Sequence, residues 1–125
     1  MKTTQGAIVK AWKALNSLEV SELRLSYKVF WLMRQLRPFI EFQEQEERRF
    51  LTTVEKTKGE DGCEKITPEG ILAFNARVEE IAAMEQEVNI EPEVFRISDN
   101  MKLTPAQLFD LEGFIEIQGG GNDGD

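Results

Sequence analysis

The chain has 125 residues, 41% of them hydrophobic and 30% charged, with a formal net charge of −8, no histidine and one cysteine. This composition suits a single soluble globular domain, and its acidic balance disfavours sequence-independent binding to a phosphate backbone. The missing histidine excludes Ser-His-Asp and Cys-His catalysis and the His-containing zinc patterns, and a lone Cys63 excludes an intrachain disulfide and points to a reducing interior.

The opening MKTTQGAIVKAWKAL carries lysines inside its apolar stretch, which speaks against a signal peptide. No run of about 18 apolar residues marks a membrane span. Residues 4–16 place Ile8, Trp12 and Leu15 at helical spacing and predict a short helix ending at Asn16-Ser17.

A long helix is predicted over 21–56. Its apolar residues Leu25, Val29, Leu32, Leu36 and Phe39, then Phe50 and Val54, largely step by three and four. Ser21 caps it in one reading and Ser17 in the other. From Leu23 to Phe42 apolar residues occur on nearly every side, including Tyr27, Phe30 and Trp31, so that half is expected to be covered by more than one partner. From Gln43 to Lys56 only a narrow seam remains among Glu44, Glu46, Glu47, Arg48 and Arg49, which predicts a projecting arm. Pro38 lacks the N–H that would bond the Arg34 carbonyl, so either a kink or a full break is expected there.

Gly59, Asp61 and Gly62 predict a turn, with Thr57-Lys58 facing Glu64-Lys65-Ile66 in a small ribbon. Thr67-Pro68-Glu69 starts a second helix, predicted to run to about Glu87 with Ile71, Phe74, Val78, Ile81 and either Met84 or Glu85 as its seam. Laid antiparallel on the arm, that seam would set Glu44 near Glu80 and Glu47 near Arg77. Val88–Ile90, Val94–Ile97 and Phe114–Ile117 read as strands. Thr104-Pro105 starts a last helix with Leu108 and Leu111 inward, Phe109 joining them in one reading, and ending at Gly113. The expected fold is mainly α (α+β), a long antiparallel helical hairpin on a small base with short β-strands. It forms one domain over 1–118, with a disordered Gly/Asp tail at 119–125.

Several phrases together resemble a group of small phage and prophage proteins of Gram-positive bacteria. They are Ser21-Glu22-Leu23-Arg24-Leu25-Ser26, Gly59-Glu60-Asp61-Gly62, Phe74-Asn75, Glu87-Val88-Asn89-Ile90-Glu91-Pro92, and the closing Leu103–Ile115 segment LTPAQLFDLEGFI. The resemblance spans about residues 5–117 and its motifs are structural. It implies an origin in a phage or prophage, a cytoplasmic life in the bacterial host cell and an assembly or host-directed role, and it carries over no catalytic residue.

Carboxylates are the one dense chemical group. Glu41, Glu44 and Glu47 share a face of the arm, yet carboxylate-rich four-helix metal sites also use histidine, so no metal and no cofactor are expected. Cys63 lies beside acidic residues, a setting that disfavours the thiolate. Tyr27, Phe30 and Trp31 would suit base stacking, but they sit in the apolar half and are read as core. The expected function is noncatalytic, an accessory or adaptor acting on a protein partner, with neither direct nucleic-acid contact nor membrane contact. The candidate contact residues are Phe42, Phe50, Leu51, Ile71, Glu44, Glu47 and Glu80 on the arm, with homo-oligomerisation through a two-fold antiparallel dimer set against a monomer whose seam is fully used. The alternative is an acidic inhibitor of a host nucleic-acid-binding defence protein, using Glu41, Glu44, Glu46, Glu47, Glu79, Glu80 and Glu87 in place of phosphates.

Overall fold

The computed structural model of the chain describes residues 1–96, 99 and 101–119. Within them the order is β1 (Lys2–Thr4), α1 (Gln5–Asn16), α2 (Leu23–Leu51), β2 (Lys56–Lys58), β3 (Glu64–Ile66), α3 (Pro68–Ala82), β4 (Glu85–Glu87), β5 (Glu93–Arg96), α4 (Pro105–Asp110) and β6 (Ile115–Gln118). The fold is thus mainly helical with small sheets, each of two strands: β1 with β4, β2 with β3, and β5 with β6.

Local chemistry accounts for most helix starts. Thr4, Thr67 and Thr104 each stand in extended backbone and accept a hydrogen bond from a first-turn N–H, of Ala7, Gly70 and Gln107 respectively. Pro68 and Pro105 follow two of these caps, where a missing N–H costs nothing. Around Thr104 the cap is reciprocal: the Thr104 N–H donates to Gln107 Oε1 at 2.9 Å. The Gln107 amide also donates to the Ser17 hydroxyl at 2.9 Å, tying α4 to the end of α1.

The long helix begins at Leu23 with Glu22 as cap, and no side chain closes that end. Ser21 therefore does not cap it, and the Ser17 hydroxyl instead donates to the Ala14 carbonyl at 2.8 Å. Helix α2 passes through Pro38 without a break and stops at Leu51, a length of about 44 Å at 1.5 Å per residue.

The β2–β3 ribbon pairs Lys56 with Ile66 and Lys58 with Glu64. Its turn is closed by Gly62 N–H to Gly59 O at 3.0 Å, with Gly62 at φ 81°, a conformation side chains resist. Helix α3 ends at Ala82, short of the predicted Glu87, because the chain turns into β4. There Glu85–Glu87 pairs antiparallel with Thr4–Lys2, and the Gln5 N–H reaches the Met84 carbonyl at 2.9 Å. The strand expected at Val88–Ile90 is accordingly displaced to 85–87, while Val88 itself is buried. Strands β5 and β6 lie parallel, as the intervening α4 allows. Ile97 of the strand predicted at Val94–Ile97 and residues 120–125 of the predicted tail lie outside the described residues.

The main core sits at one end of α2. Leu25, Val29, Leu32 and Leu36 pack with Ile8, Ala11, Ala14 and Leu15 of α1 and with Val88, Phe95, Leu111 and Phe114. The turn Leu111–Phe114, closed by a 2.9 Å bond with Gly113 at φ 85°, points both its end residues into that core. Leu108, predicted inward, is 41% exposed, and Phe109, inward in one reading, is 77% exposed. One polar side chain is fully buried among these elements: Gln5 donates to the Phe39 carbonyl at 2.8 Å and accepts from Gln86 at 2.9 Å.

Candidate interaction surface

The residues singled out on the arm divide between an internal contact and solvent. Phe50 turns toward Phe74 of α3, ring centroids 6.4 Å apart, and the Arg77 guanidinium lies 5.8 Å from the Phe50 ring. Phe42 and Leu51 are half-buried and Ile71 is half-exposed. Arg77 meets Glu46 at 3.7 Å, not Glu47 as predicted, and Glu46 also pairs with Arg49 at 3.1 Å. Glu47 accepts from the Gln43 amide at 2.7 Å instead. Glu80 lies 3.8 Å from Arg77, and Glu44 faces solvent. The predicted register is off by one residue, which on a helix rotates the contact by about 100° and sends a different carboxylate inward.

The larger correction concerns the other half of α2. Tyr27, Phe30 and Trp31, read as core, are 63%, 53% and 41% exposed, and Leu23 is 83% exposed. The physical reason is one-sided cover. Helix α1 and the C-terminal elements pack on the side bearing Leu25, Val29, Leu32 and Leu36, and residues 23, 27, 30 and 31 lie roughly half a turn around from it. The spacing i, i+4, i+7, i+8 makes them one continuous ridge.

The Tyr27 and Phe30 rings sit 6.2 Å apart, and Arg34 lies 5.7 Å from the Trp31 ring. An open groove of about 760 Å³ runs along the ridge, lined by Leu23, Arg24, Tyr27, Lys28, Trp31 and Glu93. A second, of about 420 Å³, lies between Trp12, Phe30, Met33, Arg34 and Arg37.

The stretch of α2 that carries this ridge is opposite in charge to the chain as a whole. Between Leu23 and Ile40 there are four cations, Arg24, Lys28, Arg34 and Arg37, and no carboxylate. Residues 1–40 hold seven Lys or Arg against two Asp or Glu, whereas residues 41–125 hold eight against twenty-one. Several of these cations are fixed in place. Arg24 pairs with Asp99 at 2.9 Å and Glu22 at 3.1 Å, which holds it more firmly in its charged form. Asp99 accepts from the Arg96 N–H at 2.8 Å as well as from Arg24, and these two bonds, in that order, hold its carboxyl below the usual carboxylate range. The Lys28 ammonium donates to the Val94 carbonyl and lies 5.4 Å from the Phe95 ring. Arg37 reaches Glu41 at 3.5 Å. Reading the sequence for apolar periodicity alone missed this surface. The acid-free run over 23–40 in an otherwise acidic chain was the signal that could have found it.

Among the described residues, no group of three His, Cys, Asp or Glu is placed to hold a metal ion, and no helix is long and apolar enough to cross a membrane. Cys63 is exposed in the β2–β3 turn, next to Glu64. No protein-family model, curated protein or solved structure matches the chain.

Proposed function

We propose that the protein is a noncatalytic interaction module that docks an apolar, acid-flanked helical segment of a protein partner along the Leu23–Tyr27–Phe30–Trp31 ridge. The observation that carries this reading is the exposure of four large apolar side chains in one line on an ordered helix. Contiguous apolar patches of this kind mark contact sites, and Tyr, Trp and Arg are the side chains that dominate interface energies. Of the four cations around the ridge, Arg24 and Arg37 already meet carboxylates of the chain, and Lys28 and Arg34, with none within 4 Å among the described residues, select for carboxylates at the edges of the partner segment.

On this reading α2 and α3 form the antiparallel helical hairpin expected from the sequence, closed at its tip by the β2–β3 ribbon. The hairpin serves as a stiff mount, not as the docking face. The resemblance to phage and prophage proteins suggests the setting, an accessory or assembly factor at work inside a bacterial host cell. The alternative, an acidic inhibitor mimicking nucleic acid, has less support. Of its seven carboxylates, Glu41, Glu46, Glu80 and Glu87 each have a cation of the same chain within 4 Å.

The test is a fluorescence-anisotropy titration with three labelled probes. Two are amphipathic helical peptides of equal apolar content, one flanked by Glu and one by Lys, and the third is a single-stranded oligonucleotide. The Glu-flanked peptide is expected to bind at least about tenfold more tightly than the Lys-flanked one, and Tyr27→Asp to abolish the difference. Preference for the oligonucleotide, or no binding of either peptide, would overturn the proposal.

A further inference from the structure

The chain carries its own complement to the ridge. On α3, Phe74, Arg77 and Ile81 turn inward, and Phe50 and Glu46 of α2 receive the first two. The opposite side of α3 presents Glu69, Leu72, Ala76 and Glu79, all exposed, with Leu72 at 69%. At 1.5 Å per residue this outward face is about 15 Å long and the ridge from Leu23 to Trp31 about 12 Å. One face is aromatic and rimmed by cations. The other is flat, with alanines beside a single leucine and carboxylates at both ends.

We infer that the ridge of one copy takes the outward face of α3 of a second copy, so that the protein assembles head to tail. This rests on the ridge being a docking surface, as proposed above, and it names the occupant. Three features support a second copy. The outward face points away from its own α2, so the two surfaces can meet only between molecules. Their edge charges are opposite in sign: Lys28 and Arg34 beside the ridge, and Glu69 and Glu79 on α3, have no opposite charge within 4 Å among the described residues. The shallow alanine face also leaves room for Tyr27 and Trp31, which stand out from α2.

Two different surfaces then meet at every contact, unlike the two-fold arm dimer expected from the sequence, in which like meets like. Such contacts leave an unused ridge at one end and an unused α3 face at the other, and they build rings or filaments instead of stopping at two.

Sedimentation of the full chain over a wide concentration range, with two exposed-site variants, tests this. The wild type is expected to gain mass with concentration, and raising salt from about 0.05 M to about 0.5 M to weaken association at least fivefold. Tyr27→Asp and Leu72→Asp are each expected to be monomeric with unchanged circular dichroism. Mixed one to one, they are expected to form a dimer and nothing larger, because one variant retains an intact α3 face and the other an intact ridge. A monomeric wild type, a mixture that stays monomeric, or a Leu72→Asp protein that assembles like the wild type would overturn the inference. If the wild type is monomeric while the Glu-flanked peptide binds, the ridge remains a docking surface for another protein. If neither occurs, both proposals fall.

Discussion

The two halves of α2 are one continuous helix held in two different ways. From Leu23 to Ile40 it contributes four fully or nearly fully buried residues, Leu25, Val29, Leu32 and Leu36, and leaves its far side bare. From Glu41 to Leu51 it contributes only half-buried ones, steadied by Phe74 and Arg77 of α3. A helix thus gains order from a deep core on one side at one end and from a shallow pair contact at the other. The exposed ridge falls at the well-anchored end. A contact ridge needs a rigid base if binding is not to be offset by the entropy of ordering it.

Leu32→Ala breaks the deep half and is expected to have the largest effect. Its side chain is fully buried, so the loss should be about 2–5 kcal/mol of global stability, read as a lower urea midpoint with unfolding still in one step. Phe50→Ala targets the shallow half. With its ring only half-buried against Phe74, about 1–2 kcal/mol is expected. Hydrogen exchange should rise across residues 43–58 and 64–78 while amides near Leu32 stay protected. Equal loss of protection in both regions would show that the halves unfold together.

The smallest effect is expected from Asp99→Asn, which releases Arg24 beside the ridge. Asp99 is held below the usual carboxylate range when folded, so its contribution is present at neutral pH and is lost as pH falls through that lowered value. The urea midpoints of wild type and variant should therefore differ at about pH 7 and converge once the pH has fallen through the lowered Asp99 value. A gap that widens in acid would contradict this assignment.

Much of the fold was legible because its signals are local. Thr67-Pro68 and Thr104-Pro105 announce helix starts by cap chemistry alone, and Asp61-Gly62 announces the ribbon turn. What was illegible depends on residues far apart in the chain. The period of α3 continues to Met84, but pairing of Glu85–Glu87 with Lys2–Thr4 ends it early. An all-round apolar helix reveals that something must cover it without revealing which side is left uncovered. That choice is made by Phe95, Leu111 and Phe114, more than 60 residues downstream of Leu25. The ridge was hidden for a further reason: a net charge of −8 averages away the acid-free stretch on which it sits.

Gln5 decides how the two companions of α2 share its length. Its buried amide grips the Phe39 carbonyl on one side and Gln86 on the other, next to the point where Gly6 and Ala82 come so close that an added methyl on Gly6 would lie 3.1 Å from the Ala82 Cβ. Neither companion can creep along the long rod by a turn without leaving the buried Gln5 amide unpaired. The junction therefore acts as a stop that sets the lengthwise alignment of both.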